Sequence, residues 1–119
     1  MRFLSLIRAA EHQGAPPQGL IDAIDQWVAR TLTNKTVVST GGLAPSSAGV
    51  RVRIRGGKLS VTDGPFSESK EVIGGYAVIA GETREEVVEA TKAFMQLHID
   101  HWPQWEGECE LRELVFLAP

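Results

Sequence analysis

The sequence predicts a single α+β domain spanning residues 1–119, with six β-strands and two α-helices. Clusters of glycine and proline divide the chain into six short strand-like segments and two amphipathic helical ones. The strands at 2–8 and 72–80 are apolar on both faces, which requires cover on both sides of a sheet. The resulting order, β-α-β-hairpin-β-α-β, is a ferredoxin-like split βαβ plan with an added β-hairpin.

Composition and charge are those of an ordinary globular protein. Apolar residues make up 43% of the chain and charged residues 23%, so disorder is not expected. The net charge of −3 argues against a nucleic-acid partner, and no apolar run approaches the roughly 20 residues that cross a membrane. Cys109 is the single cysteine and cannot form an internal disulfide, which makes the cytoplasm the expected compartment.

Residue periodicity predicts both helices. Apolar residues recur at helical spacing over 18–32, directly after two consecutive prolines that suit the approach to a helix start. Thr83 and Glu86 form a capping-box pattern at the start of a second helix over 83–98. Two further strands are predicted, at 36–42 and 108–117.

The clearest local pattern is a hairpin over residues 50–63. Apolar and basic residues alternate up to Gly56-Gly57, which suits the positive backbone angles of a two-residue turn, and alternation resumes after it. This register pairs Ile54 with Leu59 and Val52 with Val61, so the four apolar side chains share one face. One step further it pairs Val50 with Asp63, which places that carboxylate at the end of the apolar face.

The apolar strands also predict a partner. Two helices can cover only one face of the sheet, so the second apolar face needs another cover. An identical subunit, packed sheet against sheet in a two-fold homodimer, is the simplest source of that cover.

The segment from Val50 to Tyr76 resembles the DGPF-type branch of the YCII-related family. The resemblance rests on Asp63-Gly64-Pro65-Phe66, Glu68, Lys70 and Gly75-Tyr76, together with the opening strand, Gly41-Gly42-Leu43, Pro45-Ser46-Ser47 and residues 107–112. It implies a dimeric α+β barrel.

The resemblance implies less about activity. Some YCII-related proteins are thought to carry a His–Asp pair in a cleft, with the histidine on the first helix, and one branch removes chloride from chlorinated hydroxylated aromatic rings. The helix at 18–32 contains no histidine, so such a pair does not carry over to this chain. DGPF-type members are often associated with extracytoplasmic-function sigma factors, which implies a regulatory setting.

Three residues are candidates for catalysis. Asp63 is a candidate general base. Alternatively, its carboxylate fixes the Asp-Gly-Pro turn by accepting hydrogen bonds from backbone amides that follow it. His98 lies on the inner stripe of the second helix, where it is either a pocket acid–base group or a hydrogen-bonded core histidine. Tyr76 lies in a central strand, where its hydroxyl reaches a cleft or its ring simply packs.

A second group of residues is predicted to bind a ligand. Arg51 and Arg53 belong to a basic row that either holds an anion or forms a solvated hairpin face. Glu68 and Lys70 follow the turn, as a lid or as a salt-bridged surface. Phe66 either stacks on a ligand or anchors this loop in the core.

The closest approach to a metal-binding pattern is His98, Asp100 and His101. Nothing in the spacing supplies a further ligand, and histidines are favoured at helix ends in any case, so no metal is predicted. The sequence contains no P-loop, dinucleotide fingerprint or Cys-x-x-Cys pair, so no cofactor is predicted.

Two functional hypotheses follow. In the first, the protein binds or transforms a small organic molecule by acid–base chemistry, in a pocket between the sheet and the second helix that Asp63, Tyr76 and His98 line. In the second, it is a non-catalytic ligand-binding or protein-interaction module that serves a regulator. Convergence of the three side chains on one cavity is expected only for the first.

Overall fold

The structure, a computed structural model, describes residues 1–66 and 70–115. Its elements are β1 (Arg2–Ala9), α1 (Gln18–Thr33), β2 (Val37–Gly42), β3 (Val50–Arg55), β4 (Lys58–Asp63), β5 (Val72–Ala80), α2 (Arg84–His101) and β6 (Gly107–Glu113). A short 3-10 turn, Ser46–Ala48, precedes β3. The predicted order of elements is therefore confirmed.

Four strands form the main sheet, in the order β2-β5-β1-β6, and every neighbouring pair is antiparallel. Without the hairpin, this is the strand order of a ferredoxin-like fold, in which the first and third strands lie at the centre. Both helices lie on one face, where the Trp27 ring of α1 is 5.1 Å from the Phe94 ring of α2. The predicted α+β fold is confirmed.

The core lies between the sheet and the helices. Phe3 and Ile79, from adjacent strands, pack against Val87 of α2. Because side chains alternate along a strand, Leu4 and Leu6 point to the opposite, outer face of the sheet, where they are half-buried. The protomer thus covers one face of its central strands with helices.

Helix α2 begins as predicted and ends three residues later than predicted. The Thr83 hydroxyl accepts a hydrogen bond from the Glu86 amide at 3.2 Å, and the Glu86 carboxylate accepts one from the Glu82 amide at 2.8 Å. The helix continues to His101 because only the residue that precedes Pro103 is barred from helical geometry. The end of β6 at Glu113 likewise shortens the predicted strand, whose residues 116 and 117 lie outside the described residues.

The hairpin has the predicted register at every pair from Val50–Asp63 to Arg55–Lys58. Gly56 and Gly57 have positive φ angles of 55° and 74°, as the turn requires. Strands β3 and β4 form a sheet of their own, separate from the main sheet. The hairpin's apolar face and its basic face are both largely exposed.

Candidate functional site

A groove of about 660 Å³ lies where the sheet meets both helices. Its walls come from the ends of β1, β2 and β5, from α1, from α2 and from the loop that follows α2. Most of the lining is apolar, and the titratable side chains that line it are Glu11, Asp25 and His98. A groove of this size and composition is typical of sites for small organic molecules.

Aromatic rings form a continuous row along one wall. The ring of Phe94 lies 5.0 Å from the imidazole of His98, which in turn lies 4.6 Å from the indole of Trp105. Trp102 extends the row, with its ring 6.2 Å from that of Trp105. His98 therefore sits between aromatic rings and is only 8% exposed.

The hydrogen bond of the His98 ring shows which of its two nitrogen atoms carries the proton. The Nδ1 atom of His98 lies 3.3 Å from the Phe94 carbonyl oxygen, which can only accept a hydrogen bond. Nδ1 therefore carries the proton, and the neutral ring presents a lone pair at Nε2. Burial lowers the pKa of His98, an effect that the bond to Phe94 only partly opposes. The imidazole is accordingly neutral near pH 7 and able to accept a proton.

The carboxylate of Glu11 holds the loop between β2 and β3 in place. Glu11 accepts two hydrogen bonds of 2.5 Å from Ser46, one from its hydroxyl and one from its amide. Both bonds lower the pKa of Glu11, and the bond from the hydroxyl has the larger effect. The carboxylate therefore stays ionised. The contact joins the loop after β1 to the 3-10 turn before β3. Glu11 acts here as a structural anchor for the groove.

A second groove of about 490 Å³ adjoins the first and shares its wall at residues 43–45. Arg51 and Phe66 line this second groove, and the Arg51 guanidinium lies 3.8 Å from the centre of the Phe66 ring. Two of the predicted ligand-binding residues are thus brought together, through a cation–π contact.

The Asp63–Phe66 turn packs against the loop that precedes β3, which contains Ser46 and Gly49. The Gly64 amide donates a hydrogen bond to the Gly49 carbonyl at 2.8 Å, and a Cβ atom at position 64 would overlap the Ser46 carbonyl oxygen. Only glycine fits such a close approach of two backbones. The glycine of the Asp-Gly-Pro-Phe motif therefore has a packing role.

The three predicted catalytic residues do not share a cavity. Tyr76 lies on the outer face of the sheet, opposite Leu6, and its hydroxyl is 3.1 Å from the Ser39 hydroxyl. Asp63 is exposed at the end of β4, and the Gly64 amide that follows it donates to the Gly49 carbonyl. Of the three, His98 alone lines the aromatic groove. The convergence expected for a shared acid–base pocket is therefore not found, because the sheet separates Tyr76 from the helices, and acid–base chemistry in the groove would rest on His98 without the other two.

The other predicted residues are dispersed. Arg53 lies on the exposed hairpin and Lys70 is exposed, while Glu68 falls outside the described residues. Asp100 accepts a hydrogen bond from Gln96 at 3.0 Å. Over residues 1–66 and 70–115, no three histidine, cysteine or acidic side chains lie close enough to hold a metal ion.

Sequence reasoning missed the role of Glu11. Its partner Ser46 is 35 positions away, and no local pattern marks a contact at that separation. Phe94 lies beside His98 on the same face of α2, in agreement with their spacing of four residues.

The fold defines this chain as a two-layer α+β protein, with an aromatic groove where the sheet meets the helices. The family model of the YCII-related domain matches residues 1–97, which is most of the chain, and the chain therefore belongs to the YCII-related family. The matched range contains the hairpin and ends just before His98.

The comparison with curated proteins finds no match to this chain. Among the described helices, none combines the length and the apolar character needed to cross a membrane.

Proposed function

We propose that this protein binds a small, mainly apolar organic molecule bearing an acidic hydroxyl group in the aromatic groove, and that His98 is its general base. The observation that carries the proposal is the hydrogen bond from His98 Nδ1 to the Phe94 carbonyl, inside a groove lined by aromatic rings. It leaves the lone pair of Nε2 as the basic site of a buried, neutral imidazole.

The proposed step is a single proton transfer. The ligand's O–H bond breaks, its proton moves to Nε2, and the electron pair stays on the ligand oxygen. The imidazolium that forms keeps its Nδ1–H bond to the Phe94 carbonyl, which favours the charged ring and partly offsets the effect of burial. The apolar walls hold the ligand body, and the Glu11–Ser46 contact keeps the loop wall in position.

The test uses 4-nitrophenol, whose phenolate absorbs visible light. Wild-type protein is expected to bind the probe saturably near pH 7 and to ionise a larger fraction of the bound probe than a variant that lacks the base. His98→Gln keeps a polar side chain but removes the base, so it is expected to lower the phenolate absorbance of the bound probe. His101→Gln is the matched control, because His101 is exposed on the same final turn of α2 and does not line the groove.

A folded His98→Gln variant that still ionises the probe would exclude His98 as the base. Because His98 is buried, Leu43→Glu provides a second variant, at an exposed residue that lines the groove, and it is expected to weaken binding. Saturable binding without any ionisation in the wild type would instead favour the non-catalytic ligand-binding hypothesis.

The proposal also includes a homodimer joined through the outer faces of two sheets. Leu4, Leu6 and Val78 remain half-exposed on that face, together with Tyr76. Burial of this apolar surface is the expected driving force. Light scattering after gel filtration is expected to give twice the protomer mass at micromolar concentration, and a stable monomer would contradict the dimer.

The Asp63-Gly64-Pro65-Phe66 turn supports assignment to the DGPF-type branch, which is also part of this proposal. The lone Cys109 supports a cytoplasmic location, where thiols stay reduced.

A further inference from the structure

The hairpin carries an apolar face that the described protomer leaves uncovered. Its five apolar side chains are 57–74% exposed: Val50, Val52, Ile54, Leu59 and Val61. All five lie on the same face, because the register pairs Ile54 with Leu59 and Val52 with Val61. They form one continuous stripe rather than scattered surface residues, and such stripes mark interaction sites.

The size and shape of the protomer also indicate that part of its surface is covered by a partner. Its accessible surface is 8317 Å², whereas a monomer of this mass is expected to expose about 6,300 Å². Its radius of gyration is 16.0 Å, compared with about 13.5 Å for a compact domain of this length. The excess of roughly 2,000 Å² per protomer, or about 4,000 Å² for two copies, lies in the range of total surface that obligate homodimers bury.

The hairpin also lacks a sheet to support it. Among the described strands, β3 and β4 pair with each other and with no third strand, and a two-stranded hairpin is at best marginally stable in water. A persistent hairpin of this kind requires packing on one of its faces.

We infer that the hairpin is an arm that packs its apolar face on a second copy of this chain. The inference rests on the proposed homodimer and adds a second contact to it, since the outer sheet face alone does not involve β3 or β4. A second copy is the favoured occupant because two-fold symmetry lets each protomer supply one arm and receive one. Each dimer then covers both stripes with no other protein.

The test compares two lysine substitutions at neighbouring positions. Leu59→Lys places a charge on the apolar face, and Ser60→Lys places the same charge on the opposite face of the same strand. Both positions are exposed in the protomer, so both variants are expected to fold. Sedimentation equilibrium is expected to show a dimer dissociation constant raised at least about tenfold by Leu59→Lys, because the buried charge has no partner. Ser60→Lys is expected to leave the constant unchanged.

The outcomes separate the two proposals. A wild-type dimer that Leu59→Lys leaves intact, but that Leu6→Lys on the outer sheet face dissociates, overturns the arm and preserves the sheet-to-sheet dimer. A wild type that is monomeric at tens of micromolar overturns both. Equal weakening by Leu59→Lys and Ser60→Lys also overturns the arm, because it shows a charge effect without a preferred face.

Discussion

The helix-covered face of the main sheet and one face of the hairpin are both rows of apolar side chains, but only the first is covered within the protomer. Ile79 is 2% exposed under α2, whereas Leu59 is 72% exposed on the hairpin. The main sheet connects through helices that fold back over it, while the hairpin turns on two glycines and brings no helix with it. A row of apolar side chains therefore shows that a face requires cover, and chain connectivity decides whether the protomer supplies it.

The largest expected effect tests this contrast directly. Ile79→Ala removes a fully buried side chain and is expected to destabilise the protein by about 2–5 kcal/mol. Leu59→Ala, measured at concentrations where the protein is monomeric, is expected to change stability by about 0.5 kcal/mol or less. Urea unfolding monitored by tryptophan fluorescence measures both changes. Similar losses for the two variants would mean that the hairpin is packed within the protomer.

The junction between the two regions depends on Gly64. Gly64→Ala places a methyl group against the Ser46 carbonyl, and overpacking of this kind is expected to destabilise by about 1–3 kcal/mol. Gly74→Ala is the control, since a Cβ atom there meets open space and is expected to have little effect. Equal stability of the two variants, measured by thermal unfolding, would show that the turn does not hold the hairpin to the domain.

A pH effect is expected within the helix-covered region, from His98. Burial lowers the pKa of His98 in the folded protein below the ordinary value of 6.5, so the unfolded chain binds the proton more readily. The neutral ring's contribution to stability is complete above about pH 6.5 and is lost as the pH falls through the folded pKa. Unfolding free energies between pH 5 and 8 are expected to show this slope in the wild type and not in His98→Gln. An unchanged slope in that variant would exclude His98 as its source.

A smaller pH effect on stability is expected from the contact between Glu11, in the loop after β1, and Ser46, in the loop before the hairpin. The two bonds from Ser46 lower the pKa of Glu11 in the folded state, so their contribution is present above the unfolded value of 4.5 and is lost as the pH falls through the folded pKa. Glu11→Gln is expected to be less stable than the wild type at pH 7 and to approach it at acid pH. A stability difference that does not vary with pH would be inconsistent with an ionised Glu11.

Much of the fold could be predicted because its signals are local. The hairpin register followed from strict alternation around Gly56-Gly57, and the start of α2 followed from the spacing of Thr83 and Glu86. The site was only partly predictable. His98 was recognised by its place on the inner helix stripe, whereas Glu11 and Ser46 meet across 35 residues without any periodic pattern to mark them.

Tyr76 shows the limit most clearly. Strand β5 is apolar on both faces, so its sequence pattern does not indicate which face the helices cover. The register with β1 sets Tyr76 opposite Leu6 on the outer face, away from His98. The sequence by itself determined the elements, their order and the pairing within the hairpin, because residues close in the chain encode them. Only the tertiary structure decided which faces are covered and which side chains share the groove, because those outcomes depend on contacts between distant segments.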